Sequence, residues 1–420
     1  MASSCVSSVT NGWATLDTSA LGSSSAMPPP SERRRNWLKA ALAAGVALPW
    51  STARAQSEPV GTRETIRLGQ SVPLSGPAQH LGIEYQRGLQ LAVQAANAAG
   101  GVRGQRLELI SYDDRYEPEV ALANTQDLMA DKVFALVGYV GTDAVNRCLP
   151  LAEKAGVPML APLTGAESLR RNPSRWLWHL RPGLSAETTL IARSLRTIGF
   201  RRVAVLQQDD ADGQAGMDAL QQALAAAGLP PPVALARVAR NSTNQVEWKS
   251  RDIQSAAHTL MSGNPMAVVF LAAYASTAAV MLALRDAGFA GGCYATSLSS
   301  AAAIGPLLGA KAGGLSVTQV MPSPFDSSRP VVATYQRLLQ VSGGPAPEYV
   351  SLEGWVAGNA IVEGLRRMPR GGGRAAFMQA MEGLAGWDAG GLVLRWDAQR
   401  RQAISEVAMT VLDREGRPIR

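Results

Sequence analysis

From Thr65 onward the chain alternates between short apolar runs and longer stretches in which apolar residues recur every three or four positions. Residues 65–74 (TIRLGQSVPL) read as a buried strand that stops at the turn Ser75-Gly76-Pro77. Helical spacing follows over residues 82–99 through Tyr85, Leu89, Ala92, Val93 and Ala96, and Asn97-Ala98-Ala99-Gly100-Gly101 ends it. A strand over Arg106–Ser111 and a helix over Pro118–Ala130 come next. Phe134–Gly138, Pro158–Leu160, Val203–Gln207, Ala267–Ala272 and Leu315–Val320 continue as apolar strands, with helices over 213–227 and 278–288. Such alternation implies parallel sheets wrapped by helices, and two doubly wound lobes account for the length. Leu229–Pro232 and Gly371–Gly373 read as surface connections, and no internal repeat is visible.

The first 55 residues follow a different logic. Arg33-Arg34-Arg35-Asn36-Trp37-Leu38-Lys39 precedes the weakly apolar run 40–50, and Ala53-Arg54-Ala55 supplies the small-x-small pattern of a cleavage site before Gln56. The order Arg34-Arg35-x-aromatic-Leu-Lys resembles a twin-arginine export signal. Residues 1–26 are Ser-rich, and Met27 is an alternative start. No Cys follows the apolar run, so a freely diffusing periplasmic protein without a lipid anchor is expected.

Composition narrows the classes. The chain is 46% hydrophobic and 17% charged, and its net charge of +7 falls to +4 once residues 1–55 are set aside. The arginines are dispersed, without the basic and aromatic stripe that a nucleic-acid surface needs. Cys148 and Cys293 have no C-x-x-C or His spacing, which leaves burial or a mutual bridge open and argues against zinc. His80, His179 and His258 share no spacing, so no metal site is expected. Gly138-Tyr139-Val140-Gly141 lacks the dinucleotide spacing, and no phosphate-binding G-x-x-x-x-G-K-[ST], G-x-S-x-G or H-E-x-x-H occurs. An enzyme and a nucleotide cofactor are therefore disfavoured, although Asp212, Thr142 and Tyr274 can be drawn as acid, nucleophile and relay.

Pro73-Leu74-Ser75-Gly76-Pro77, Asn97 to Leu109 (NAAGGVRGQRLEL), Asp113-Asp114 and Pro118 occur in an order that resembles the periplasmic leucine/isoleucine/valine-binding protein family. Leu136-Val137-Gly138, Gly156-Val157-Pro158, Ala161-Pro162, Arg181-Pro182, Gly213-Gln214-Ala215-Gly216 and Ser351-Leu352-Glu353-Gly354-Trp355 extend the likeness over nearly all of the mature chain. The resemblance implies a type I periplasmic binding protein: two α/β lobes joined by three crossings, with a ligand in the cleft. Lobe 1 would comprise residues 60–181 and 321–386, lobe 2 residues 182–320 and 387–420, with crossings near Arg181-Pro182, Gln319-Val320 and Gly386-Trp387. It further implies a monomer that hands a small-molecule ligand to the membrane permease of an ABC importer, or a ligand sensor on the same fold.

The cleft residues divide into kept and altered positions. Gly141 and Thr142 open a helix, where amide N–H groups and a hydroxyl suit a carboxylate, and the resemblance gives the hydroxyl that role; a helix cap is the alternative. The Leu163 carbonyl and the Gly165 N–H should face the ligand, and Tyr274 matches a tyrosine that closes over it or is a core aromatic. Gly165 replaces a Thr that helps hold an ammonium, with Thr164 one position off. The acid expected beyond the next strand is missing from Ala295 to Ser300, leaving Ser297 and its neighbours. Asp212 is either a substitute acid or an N-cap, and Leu81 stands where an aromatic is usual. A free α-amino acid should then be a poorer guest here than in the family's amino-acid binders, unless Asp212 reaches in, since a buried unpaired ammonium costs several kcal/mol (~3–5); amino acid and deaminated acid both stay open. Replacing Arg34 and Arg35 with Lys is expected to abolish export of a reporter fused behind residues 1–55; normal export would exclude the twin-arginine route.

Overall fold

The computed structural model describes residues 65–240 and 249–419; the export segment, its cleavage site and Cys5 lie outside the described residues. The first half of the chain builds one sheet from β1 (Ile66–Val72), β2 (Leu107–Asp113), β3 (Ala135–Val137), β4 (Met159–Leu160) and β5 (Leu177–Trp178). Helices α1 (Gln79–Ala98), α2 (Pro118–Ala130), α3 (Thr142–Ala155) and the short α4 (Ser168–Arg171) connect them. All pairings are parallel, in the order β2-β1-β3-β4-β5. After α5 (Leu184–Ile198) a second sheet forms from β6 (Val203–Asp209), β7 (Ala234–Ala239), β8 (Ala267–Leu271), β9 (Gly292–Ala295) and β10 (Leu315–Gln319). Its helices are α6 (Ala211–Ala226), α7 (Arg251–Ser262), α8 (Tyr274–Asp286) and α9 (Ala301–Leu308). The chain then adds α10 (Pro330–Val341), α11 (Tyr349–Arg367) and α12 (Arg374–Glu382), and returns for β11 (Ala408–Val411), which pairs antiparallel with β10.

The strands that read as continuous apolar runs are buried on both faces. Every residue of β3 and of β8 is buried, as helices on both sides of a parallel sheet require. Each sheet reverses strand order beside its first strand, at β1/β3 and at β6/β8, so loops diverge there and leave a crevice beyond the carboxyl ends. The two crevices belong to the two lobes.

Helix α11 lies along α1 and buries 14 of its 19 residues, including apolar side chains on every side. The helices touch backbone to backbone at Gly88 and Gly354: a Cβ on Gly88 would stand 2.0 Å from the Ser351 carbonyl oxygen, and one on Gly354 2.3 Å from that of Tyr85. This contact anchors the C-terminal helices to the first lobe.

Two buried arginines hold the passages between lobes. Arg181 donates through Nε and Nη2 to both oxygens of Glu353 on α11, each at 2.8 Å. Burial opposes its charge, but Glu353 more than compensates and holds the guanidinium above its ordinary range. Arg170 donates to the carbonyls of Thr164, Ala166 and Arg181 and to Gln402 Oε1, at 2.9–3.2 Å. Residues 179–180 pair with 401–404 through His179 N to Arg401 O, Ala403 N to His179 O and Ile404 N to Leu180 O. The segment after α12 stays with the first lobe beyond the expected crossing at Gly386-Trp387, because the Gly390 carbonyl accepts the Val331 N–H. It reaches the first crossing only at Ala403 and Ile404. Trp178 stacks on Trp396 beside it, with ring planes 8° apart.

Cys148 and Cys293 are free and buried, one in each lobe, which settles their pairing, and burial pushes both thiols up to about 11. Glu353→Gln is expected to lower the urea midpoint by the equivalent of about 3–5 kcal/mol, because it strands the Arg181 charge in the interior. An unchanged midpoint would show that Arg181 is held by other contacts.

Candidate functional site

The loop after β3 turns into α3 at Gly141, whose φ of 92° is open to glycine at little cost, and a Cβ there would lie 2.7 Å from the Tyr116 ring. An isolated parallel bridge joins Val140 to Leu163 and ties this loop to the one after β4. The Gly141 N–H donates to the Leu163 carbonyl at 3.2 Å, so these two groups, both expected to face a ligand, satisfy one another.

The first amide of α3 and its hydroxyl remain directed at the cleft, and there they meet Asp212. Its carboxylate accepts the Thr142 N–H at 2.7 Å and the Thr142 hydroxyl, while the Tyr116 hydroxyl lies 3.3 Å away. Thr142 Oγ1 also hydrogen-bonds Thr164 Oγ1 at 2.5 Å. Thr164 therefore supplies a hydroxyl at the centre of the site, one residue before the position where it was missed. Gly165 is small because the first turn of α5 occupies the space: a Cβ would lie 2.8 Å from Leu184 Cγ, and the Gly165 carbonyl accepts the Leu184 N–H. Thr142, Thr164 and Asp212 are all buried.

Asp212 is not the cap of its helix. α6 begins two residues earlier than its apolar spacing suggests, and Asp210 is the N-cap, accepting the Gly213 N–H at 2.8 Å. Asp212 is thereby free to cross the cleft. The exchange is mutual: Asp143, second in α3, accepts the N–H of Ala211, first in α6, at 3.1 Å. Each helix start is thus met by the other helix's aspartate. Asp143 is further paired with Arg240 at 3.3 Å, which also reaches Glu117 at 3.2 Å.

Tyr274 opens α8 rather than ending β8, and its hydroxyl accepts the His80 backbone N–H at 3.3 Å across the cleft. His80 is not a solvated loop residue. It sits on α1, half-buried, with its ring edge-on to Tyr274 and Nε2 3.0 Å from Glu348. Burial pulls its pKa down, yet the Glu348 hydrogen bond and charge outweigh this and leave it raised. Ser297 is held by an acid of α5. Its N–H and hydroxyl donate to Glu187 at 2.8 and 3.1 Å, and Thr318 donates to the same carboxylate. Glu187, in the first turn of α5, escaped notice because a lone acid in a helix's first turn reads as a dipole partner. Arg170 and Tyr116 carried no signal of spacing either.

Leu81, Tyr116, Leu184, Leu271, Leu298 and Asp212 line a small cavity of about 10 Å³. That is near the least one water needs. A wider open groove of about 560 Å³ passes the other side of Thr142, between Asn146 and Gln214. Among the described residues no cluster of His, Cys, Asp and Glu suits a metal ion, and no helix is long and apolar enough to cross a membrane.

Residues 65–417 match a family profile described as periplasmic binding protein. Over 106 residues the chain is 31% identical to the leucine-, isoleucine-, valine-, threonine- and alanine-binding protein of Pseudomonas aeruginosa, a stretch that is 25% of this chain and 28% of that protein. Over 131 residues it is 28% identical to the Leu/Ile/Val-binding protein of Escherichia coli, covering 31% and 34% respectively. The aligned stretches thus span only about a third of these relatives' lengths. A solved structure of a possible leucine/isoleucine/valine-binding protein from Rhodopirellula baltica superposes with a TM-score of 0.77 at 27% identity, covering 87% of this chain and 98% of that one. These relatives are described as solute binders, not enzymes.

Burial first, then the neighbouring Asp210 charge, pushes the Asp212 carboxyl up to about 7, against the opposing Thr142 hydrogen bonds. A carboxyl raised in the folded state stabilises the fold at low pH, and that contribution is lost as pH rises through about 7. Asn at this position has no such loss. The melting temperature of Asp212→Asn relative to the parent protein is therefore expected to rise by a few degrees, about 3, between pH 5 and pH 8. A pH-independent difference would contradict the buried charge.

Proposed function

This chain belongs to the periplasmic binding protein family, and from that premise we propose that it is the exported, solute-binding component of an ABC-type importer. It takes a small carboxylate-bearing ligand, an amino acid or a related organic acid or amide, and closes two lobes over it for delivery to a permease. The observation that carries this reading is the carboxylate already seated on the first amide and hydroxyl of α3, with Thr164 behind it. A helix N-terminus with its own hydroxyl is a ready anion seat, and this one lies in a cleft between lobes. Leu81, Leu184, Leu271 and Leu298 beside it suit an aliphatic or aromatic side chain, in keeping with the leucine-, isoleucine- and valine-binding relatives. Closure is a population shift toward the state in which both lobes touch the ligand.

Mass spectrometry of the small molecule that co-purifies with the exported protein identifies the ligand. Thr142→Ala removes a hydrogen bond to a charged group and is expected to weaken binding about 10- to 100-fold by calorimetry. Tyr274→Ala, which opens the second-lobe wall, is expected to weaken it about tenfold or more, as the loss of an aromatic contact does. If neither variant changes the dissociation constant of that ligand, the site lies elsewhere.

A further inference from the structure

The mutual capping of α3 and α6 is symmetric in its hydrogen bonds but not in its charges. Asp143 accepts the Ala211 N–H and is neutralised by the Arg240 guanidinium. Asp212 accepts the Thr142 N–H and hydroxyl and the Tyr116 hydroxyl, and none of these partners is a cation. The charged groups around it are the like-signed Asp210 and Asp143, with Arg240 engaged by Asp143 and Glu117. Its carboxyl is accordingly reluctant to ionise. A buried anion with donors on one side and no counter-ion is half of an ion-pair site.

Resting on the carboxylate reading above, we infer that Asp212 is the counter-ion that makes the site select an ammonium-bearing carboxylate. Asp212 occupies the seat on Thr142. A ligand carboxylate that takes this seat displaces Asp212 and leaves two carboxylates side by side in a buried cleft, near Asp210. A deaminated acid brings nothing to relieve that repulsion. An α-amino acid does, because its ammonium stands one carbon from its carboxylate and accepts the displaced Asp212 as partner. The acid missing from residues 295–300 is thus replaced from α6, and of the two guests left open the amino acid is favoured over its deaminated acid.

The test is calorimetry on matched pairs: leucine with 4-methylpentanoate, valine with 3-methylbutanoate, and phenylalanine with 3-phenylpropanoate. Each is titrated at pH 8 into the parent protein, Asp212→Asn and Thr142→Ala. The parent is expected to prefer the amino acid of the bound pair by about 10- to 100-fold, the range of a hydrogen bond between charged groups. Asp212→Asn, near-isosteric and checked for folding by circular dichroism, is expected to compress that preference to within about threefold, by weakening the amino acid and strengthening the acid. Asp212→Ser repeats the measurement should the Asn variant not fold. A parent that favours the deaminated acid, or a preference that persists in the folded variant, overturns the inference. If Thr142→Ala weakens both members of a pair while Asp212→Asn leaves their ratio unchanged, this inference fails and the carboxylate reading stands. If no member of any pair binds the folded parent protein, the carboxylate reading fails, and the counter-ion role falls with it.

Discussion

Two helix N-termini that face each other across a cleft repel unless anions lie between them. Parallel sheets force this geometry, because every strand runs toward the same edge and every following helix begins there. When two such sheets turn those edges together, the positive ends of α3, α6 and α8 converge. The protein meets the constraint with aspartates that cross the gap, Asp212 to the start of α3 and Asp143 to the start of α6. The interlobe contacts are arranged around that exchange. Gly141 sits at a φ of 92° that favours glycine, Tyr116 packs over it, and Arg240 balances one of the two acids.

Opposite the cleft the constraint is different, since the passages between lobes run through the interior and carry polar backbone with them. Arg170 answers it by serving three carbonyls and the Gln402 side chain at once. Burial drives its guanidinium down to about 9. Arg181 is stabilised instead by a full counter-charge on α11. One arginine thus knits loops together, and the other ties a crossing to the C-terminal helices.

Most of the fold was legible because its central strands are largely buried and carry apolar runs: β1, β6, β8 and β10 fall within a few residues of their expected places. β7 has only two buried positions and carries the exposed Arg237, β5 has two residues and β11 four, so none stood out as an apolar run. The site was legible residue by residue but not as a constellation. Thr142, Thr164 and Asp212 each stood out by type and by position after a strand. That Asp212 pairs with Thr142 depended on where α6 begins: a helix from Gly213 makes Asp212 a cap, and one from Ala211 gives the cap to Asp210. The tie of Ser297 to Glu187 could not be read because the two lie 110 residues apart in the chain.

The bond between Arg170 and the Thr164 carbonyl has a kinetic meaning as well as a structural one. It fastens the wall behind Thr142 to the pivot itself, so that wall does not travel with the second lobe. Thr142 and Thr164 are hydrogen-bonded to each other within the first lobe. The hydroxyl pair of the proposed anion seat is therefore built within one lobe. In the proposed cycle, encounter and commitment would then be separate events, with a ligand captured on one lobe and the swing of the other setting how long it is kept.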